Sequence, residues 1–107
     1  MSNDNLAPSF LMLFSTHAGE IDAICRRYRV RSLRVFGSVA RGSAGKGSDI
    51  DLLVEFTEPV TLLHLVRLQR ELSEVLGRPV DLVTEKALSP YMRSQVVGEA
   101  RVMYENT

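Results

Sequence analysis

Acidic side chains in one short segment are the first residues of this chain whose types and spacing could do chemistry. Asp49 and Asp51 flank Ile50 in the segment S-D-I-D-L at 48–52. Alternate side chains of a β-strand point to the same face, so the two carboxylates would project together, with Cα atoms about 7 Å apart. Such a pair favours a cation between the charges, and the lack of soft ligands favours Mg²⁺ or Mn²⁺. Two solvated carboxylates at a strand end are the simpler interpretation of an isolated D-x-D.

Three further features favour the metal site. Asp81 lies between apolar neighbours in the segment P-V-D-L-V at 79–83, so an adjacent strand would bring it to the same face. Gly37 and Ser38 follow an apolar run, where backbone N–H groups and a hydroxyl suit a phosphate. Arg41 follows Ser38 by three residues, about one helical turn, and could contact the same anion. Taken singly, Asp81 is more simply a charge on an edge strand, the Gly37-Ser38 pair an ordinary turn, and Arg41 a surface arginine.

Together the acids and the glycine-serine pair predict displacement at a phosphorus atom. Two metal ions about 3.5–4 Å apart can hold the attacking and leaving oxygens of such a reaction. Asp49 and Asp51 would hold the ion on a triphosphate. Asp81 would help hold the second ion and accept the proton of the attacking hydroxyl.

The elements that must position these residues are read from apolar periodicity and from glycine and proline. They are, in order, a helix at about 10–30, a strand at 33–36, a loop at 37–48, a strand at 50–56, a helix at 60–76, a strand at 80–83 and a helix at 91–104. The loop at 37–48 is too short for a parallel crossover helix, so a mixed sheet is expected. The predicted fold class is therefore α/β (α+β), a small mixed β-sheet flanked by helices.

Composition limits the remaining classes. The 107 residues carry 13 Lys plus Arg and 13 Asp plus Glu, and this neutral total argues against direct nucleic-acid binding. Cys25 is the single cysteine, which excludes an internal disulfide framework and a multi-cysteine zinc site. Apolar runs are too short for a membrane span, and no signal pattern begins the chain. We expect one cytoplasmic domain over 1–107, with a flexible segment at 1–8 and no membrane partner.

Some residues favour structural roles. Cys25 and His64 are interpreted as a core thiol and a surface or capped histidine. Five arginines within residues 26–34 fit a partner-binding patch and a solvated helix end equally well.

The segments G-S-V-A-R-G at 37–42 and S-D-I-D-L-L-V at 48–54 resemble the nucleotidyltransferase superfamily that includes DNA polymerase β. The resemblance is closest to its minimal nucleotidyltransferase branch, and it extends from about residue 33 through the last helix. It implies a polymerase β-like nucleotidyltransferase fold. It further implies two Mg²⁺ ions bound by three acids, Asp49, Asp51 and Asp81, which would be both metal ligands and catalytic residues. It also implies that ATP is held by a nucleotide-binding set, Gly37, Ser38, Arg41 and Ser48.

Proteins of the minimal branch are often encoded beside a HEPN-domain protein as the antitoxin of a toxin–antitoxin pair. The resemblance therefore implies transfer of AMP from ATP to a hydroxyl of a HEPN toxin, with release of pyrophosphate. An alternative is an antitoxin that neutralises its toxin by binding and occlusion, without catalysis. Transfer to a nucleic acid or a small molecule is the third hypothesis, and the lack of a second domain makes it the weakest.

Overall fold

Five α-helices and four strands make up the part of the chain that the computed structural model describes, residues 8–42 and 49–106. The helices are α1 (Pro8–Thr16), α2 (Ala18–Arg27), α3 (Gly37–Arg41), α4 (Leu62–Leu76) and α5 (Pro90–Glu99). The strands are β1 (Val30–Phe36), β2 (Ile50–Phe56), β3 (Val80–Thr84) and β4 (Arg101–Glu105), with a 3₁₀ turn at Glu85–Ala87. None of the helices in these residues is long and apolar enough to span a membrane.

The four strands form one mixed sheet in the order β3-β2-β1-β4. β1 is antiparallel to both β2 and β4, whereas β2 and β3 are parallel and are joined through α4. This arrangement confirms the predicted fold class and the mixed sheet expected from the short connection after β1. The bounds of β2 agree with the prediction residue for residue.

One face of the sheet carries the hydrophobic core. In β2 the residues Ile50, Leu52 and Val54 are buried, and α2 and α4 cover them with a second set of buried side chains that includes Ile21, Ile24, Cys25, Leu68, Leu72 and Leu76. Because strand side chains alternate, Asp51 must point to the opposite face. The packing of the core therefore fixes which way the acidic residue points.

The ends of α4 and α5 follow from local sequence. Thr61 and Ser89 are the N-caps, and their hydroxyls accept the backbone N–H groups of His64 and Met92. Gly77 ends α4 in the left-handed conformation, with φ of 67°.

The predicted helix at 91–104 is wrong beyond Glu99. α5 ends there, Ala100 is extended, and the following residues form β4, in which Tyr104 pairs with Leu33 of β1. A short apolar run fits the helical and the strand period equally well, so spacing alone could not separate them. The open edge of β1, a tertiary feature, decides in favour of a strand.

The predicted helix at 10–30 is also corrected. It is divided at His17 into α1 and α2, and Arg29 adopts a positive φ of 61° that turns the chain into β1 at Val30. The predicted loop at 37–48 begins with α3. Of the predicted flexible segment at 1–8, Pro8 begins α1 and residues 1–7 lie outside the described residues.

The structural roles of Cys25 and His64 are confirmed. Burial, and then the charge of Asp22, raise the pKa of the Cys25 thiol to about 12, so the thiol stays protonated and packs in the core. The Nε2 atom of His64 lies 2.7 Å from the carbonyl oxygen of Tyr28, and its ring meets the Tyr28 and Phe56 rings edge-on.

Three of the clustered arginines are engaged within the protein. Each forms an ion pair with an acidic side chain of the same chain, Arg26 with Asp22, Arg27 with Glu71 and Arg29 with Glu58. These contacts favour the solvated helix end over a partner-binding patch.

Two leucines of α4 test the position of the core. We expect Leu72→Ala to lower the free energy of unfolding by about 2–5 kcal/mol, because Leu72 is fully buried and a cavity would remain. Leu63→Ala, at a side chain that is 57% exposed, should change it by about 0.5 kcal/mol or less. Urea unfolding followed by circular dichroism measures both values, and equal losses would contradict the assigned core.

Candidate active site

Strand register brings the acidic residues to one end of the sheet. Asp51 of β2 is the direct partner of Asp81 in the parallel β3, and neighbouring strands lie about 4.8 Å apart. Asp49 precedes β2 by one residue, and alternation places it on the same side as Asp51. Asp51 is half-buried, whereas Asp49 and Asp81 are exposed. The sequence-predicted triad is thus brought together at the start of two adjacent strands.

The antiparallel β1 delivers Gly37 to the same end. Phe36, the last residue of β1, pairs with Asp51, so the chain leaves β1 beside the carboxylate and enters α3. Gly37 has a positive φ of 75°, and a Cβ added there would lie 2.3 Å from Oδ2 of Asp51. Glycine is therefore required here for both backbone conformation and close approach.

The local charges determine the ionisation of Asp51. Burial raises the pKa of its carboxyl above the usual range, and the nearby charges of Asp81, Asp49 and Glu99 raise it further, while Arg41 lowers it. The carboxylate lies among like charges that exceed the compensation offered by one arginine. The cluster is therefore an environment that favours a cation.

Glu99 is a functional-site candidate that the sequence analysis missed. Its Oε2 atom accepts the backbone N–H of Gly37 at 2.9 Å, and Nη1 of Arg41 lies 3.0 Å from Oε1 and 3.2 Å from Oε2. No spacing in the sequence relates Glu99 to the D-x-D. The wrong helix prediction at 91–104 also hid the fact that α5 ends beside α3.

The nucleotidyltransferase domain family matches residues 21–103, a range that contains this whole arrangement. The chain belongs to that family. Protein adenylyltransferase MntA of Thermococcus cleftensis is 41% identical to this nucleotidyltransferase over 73 residues, which cover 68% of this chain and 74% of the relative.

Solved structures share the fold. One solved structure is 46% identical, has a TM-score of 0.69, and aligns with 83% of this chain and 93% of its own. A complex of a tri-AMPylated Shewanella oneidensis HEPN toxin with an MNT antitoxin matches with a TM-score of 0.64 at 21% identity, over 86% of this chain and 73% of its own. At that identity the complex supports the fold alone.

Six of the seven predicted site residues of this nucleotidyltransferase lie at this end of the sheet, namely Gly37, Ser38, Arg41, Asp49, Asp51 and Asp81. Ser48 lies outside the described residues. Within residues 8–42 and 49–106, no group of three or more His, Cys, Asp or Glu side chains is arranged to hold a metal ion. The backbone positions the acids side by side, but their side chains do not form a ready-made cage.

A cavity of about 680 Å³ lies farther along β2, away from the acids. Leu53, two residues beyond Asp51, contributes to its wall together with Arg34, Lys86 and Arg93. Because Leu53 and Asp51 are alternate strand residues, they point to the same face of the sheet. The cavity therefore offers space for a second reactant on the face of the sheet that also carries Asp51.

Two glycines with positive φ test the Gly37 contact. A Cβ at Gly77 would meet nothing within 4 Å, so Gly77→Ala should cost only about 1 kcal/mol of stability from backbone strain. Gly37→Ala adds the collision with Asp51 and should cost about 2–4 kcal/mol. Urea unfolding measures the stability of both variants. A loss of unfolding free energy in Gly37→Ala no larger than that in Gly77→Ala would show that the Asp51 carboxylate moves aside at little cost.

The raised pKa of Asp51 predicts a pH dependence of stability. The folded protein holds the Asp51 proton more tightly than the unfolded chain, so this contribution is complete below the ordinary pKa of 3.8 and is lost as pH rises through the folded value. At neutral pH, without divalent ions, Asp51→Asn should therefore be more stable than the natural protein. Unfolding in a chelating buffer from acid to neutral pH measures the effect.

Asp22→Asn is the matched control, because Asp22 is an acid in an exposed pair with Arg26. It should show no stability gain at neutral pH. A loss of stability in Asp51→Asn at neutral pH would contradict the assigned electrostatics.

Proposed function

We propose that this nucleotidyltransferase transfers AMP from ATP to a hydroxyl group of a HEPN-domain toxin and so acts as its antitoxin. The observation that carries the proposal is the pairing of Asp51 with Asp81 beside Gly37 and Arg41. This pairing places the acids and the proposed phosphate-binding groups at the same end of the sheet. The name of the 41% identical relative, protein adenylyltransferase MntA, supports transfer of AMP to a protein. The HEPN toxin as acceptor is carried over to this chain from the complex of similar fold, in which the toxin is tri-AMPylated.

Asp49, Asp51 and Asp81 would hold Mg²⁺. Their oxygens are the ligands that this ion prefers. Burial, and then the negative charges of Asp81 and Asp49, raise the pKa of Asp51, and a cation would neutralise those charges. Asp49 and Asp81 are exposed, so their side chains have room to rotate toward an ion. Bound Mg²⁺ would neutralise the triphosphate and the charge that develops during transfer.

The remaining groups would bind the triphosphate and guide the proton. Gly37, Ser38 and Arg41 would contact phosphate oxygens, and Ser48 belongs to the same predicted set. The acceptor oxygen attacks the α-phosphorus, the bond from that phosphorus to the oxygen bridging to the β-phosphate breaks, and pyrophosphate leaves. Asp81 would accept the hydroxyl proton. The cavity beside Leu53 would receive the acceptor segment of the toxin.

Transfer to the partner is tested with labelled ATP, Mg²⁺ and a HEPN-domain protein that forms a complex with this chain. We expect label on the HEPN protein, and a loss of more than about 100-fold in Asp49→Asn and Asp51→Asn, since even groups that only support metal ligands are worth about 10–100-fold. Asp22→Asn should label normally. Label on RNA alone, or no label on a HEPN protein that binds this chain, would contradict the proposal.

Neutralisation by occlusion is the second candidate, because the MNT antitoxin of similar fold is found in a complex with its HEPN toxin. Cells that express the toxin with the double variant Asp49→Asn/Asp51→Asn separate the two. Survival would show that binding is sufficient, and death despite complex formation would show that transfer is required.

A further inference from the structure

Glu99 occupies the donors that the proposed function assigns to the nucleotide. The backbone N–H of Gly37 and Nη1 of Arg41 both contact its carboxylate, at 2.9–3.2 Å. A phosphate oxygen and a carboxylate oxygen make the same kind of charge-assisted hydrogen bond to such groups. Glu99 and a bound triphosphate would therefore compete for them.

The backbone at Gly37 is fixed without Glu99. Gly37 follows the last residue of β1, and its Cα packs against the Asp51 carboxylate, so strand pairing and the positive φ determine where its N–H lies. Arg41 uses one nitrogen for both oxygens of Glu99, which is weaker than a fork of two nitrogens. The Arg41 side chain is 53% exposed and has room to turn toward another anion.

Glu99 also adds negative charge where negative charge is already concentrated. Its carboxylate raises the pKa of Asp51, as Asp49 and Asp81 do. A residue whose role was only to stabilise this end of the fold would be better neutral, because each added carboxylate raises the repulsion in the cluster. The negative charge of Glu99 is explained if the group that replaces Glu99 at these donors is also negatively charged.

We propose that Glu99 is a placeholder carboxylate, which holds the Gly37 N–H and Arg41 until the nucleotide triphosphate displaces it. This rests on the proposed function, because it takes the same two donors as the phosphate-binding groups. Glu99 is then a residue that sets nucleotide affinity. The free energy of triphosphate binding is then the difference between the contacts that the triphosphate makes and the Glu99 contacts that it breaks. The nucleotide therefore binds less tightly than it would to donors that no other group occupies.

The test is the binding of magnesium tripolyphosphate and MgATP to the whole chain by isothermal titration calorimetry. In Glu99→Gln the competing charge is gone, and the dissociation constant for both ligands should fall about two- to fivefold, the range for a partly exposed ion pair. Glu99→Asp, which keeps the charge but reaches less far, should lie between the natural protein and Glu99→Gln. Glu74→Gln, which removes an acid paired with Arg70 on α4, is the matched control and should not change binding.

Kinetics separate displacement from a structural role. In the labelling reaction, Glu99→Gln should lower the KM for ATP about two- to fivefold and leave the rate at saturating ATP unchanged. A residue needed only for structure would lower the rate and leave binding equal or weaker. If Glu99→Gln does not fold, Glu99→Asp carries the same comparison with the natural protein.

Two results overturn the placeholder role. Weaker or unchanged binding in Glu99→Gln, with a natural protein that binds MgATP and labels its partner, rejects the placeholder and leaves the proposed function intact. Failure of the natural protein to bind either ligand rejects both. Tighter binding in Glu99→Gln without any transfer to the HEPN protein supports the placeholder and rejects the transferase.

Discussion

The contact between Gly37 and the carboxylate of Asp51 is the constraint on which the candidate site depends. Antiparallel pairing of β1 with β2 places Phe36 opposite Asp51, so the chain must pass the carboxylate as it enters α3. A side chain at residue 37 would occupy the space of Oδ2. The absence of a Cβ therefore allows α3 to begin against the acids, and it brings Gly37 and Arg41 within reach of Glu99. The proposed phosphate-binding and metal-binding groups share one sheet end because this approach is possible.

The electrostatic repulsion among the acids at that end is offset by apolar packing on the other face of the sheet. The alternation that points Asp51 outward also points Ile50, Leu52 and Val54 into a core covered by α2 and α4. Burial of these side chains holds the register of β2 and β3, because a shift of one residue would exchange the two faces. The acids are therefore held side by side by apolar packing rather than by any attraction among themselves. Repulsion among them remains, and it adds to the effect of burial in raising the pKa of Asp51.

Sequence reasoning succeeded where one local period determined the outcome. The alternation around Asp49 and Asp51, and the glycine that ends α4, could each be read from a few neighbouring positions. It failed where a distant partner decides. Residues 101–104 form a strand because the edge of β1 is open to them, and Glu99 reaches the site because that strand ends α5 early. Neither fact is encoded in a local spacing, so a carboxylate 48 positions after Asp51 could not be assigned to the site.

The position of Glu99 determines how it can leave its donors. Glu99 is the last residue of α5, the N–H of Ala100 bonds to the carbonyl oxygen of Val96, and Arg101 already pairs with β1. The backbone on both sides of Glu99 is thus fixed by a helix and by a sheet. Exchange with a phosphate must therefore occur by rotation of the side chain, without movement of an element. Helix shifts and domain movements take microseconds to milliseconds, and rotation of one side chain requires none of them. A placeholder built in this way lowers nucleotide affinity without making nucleotide entry depend on movement of an element.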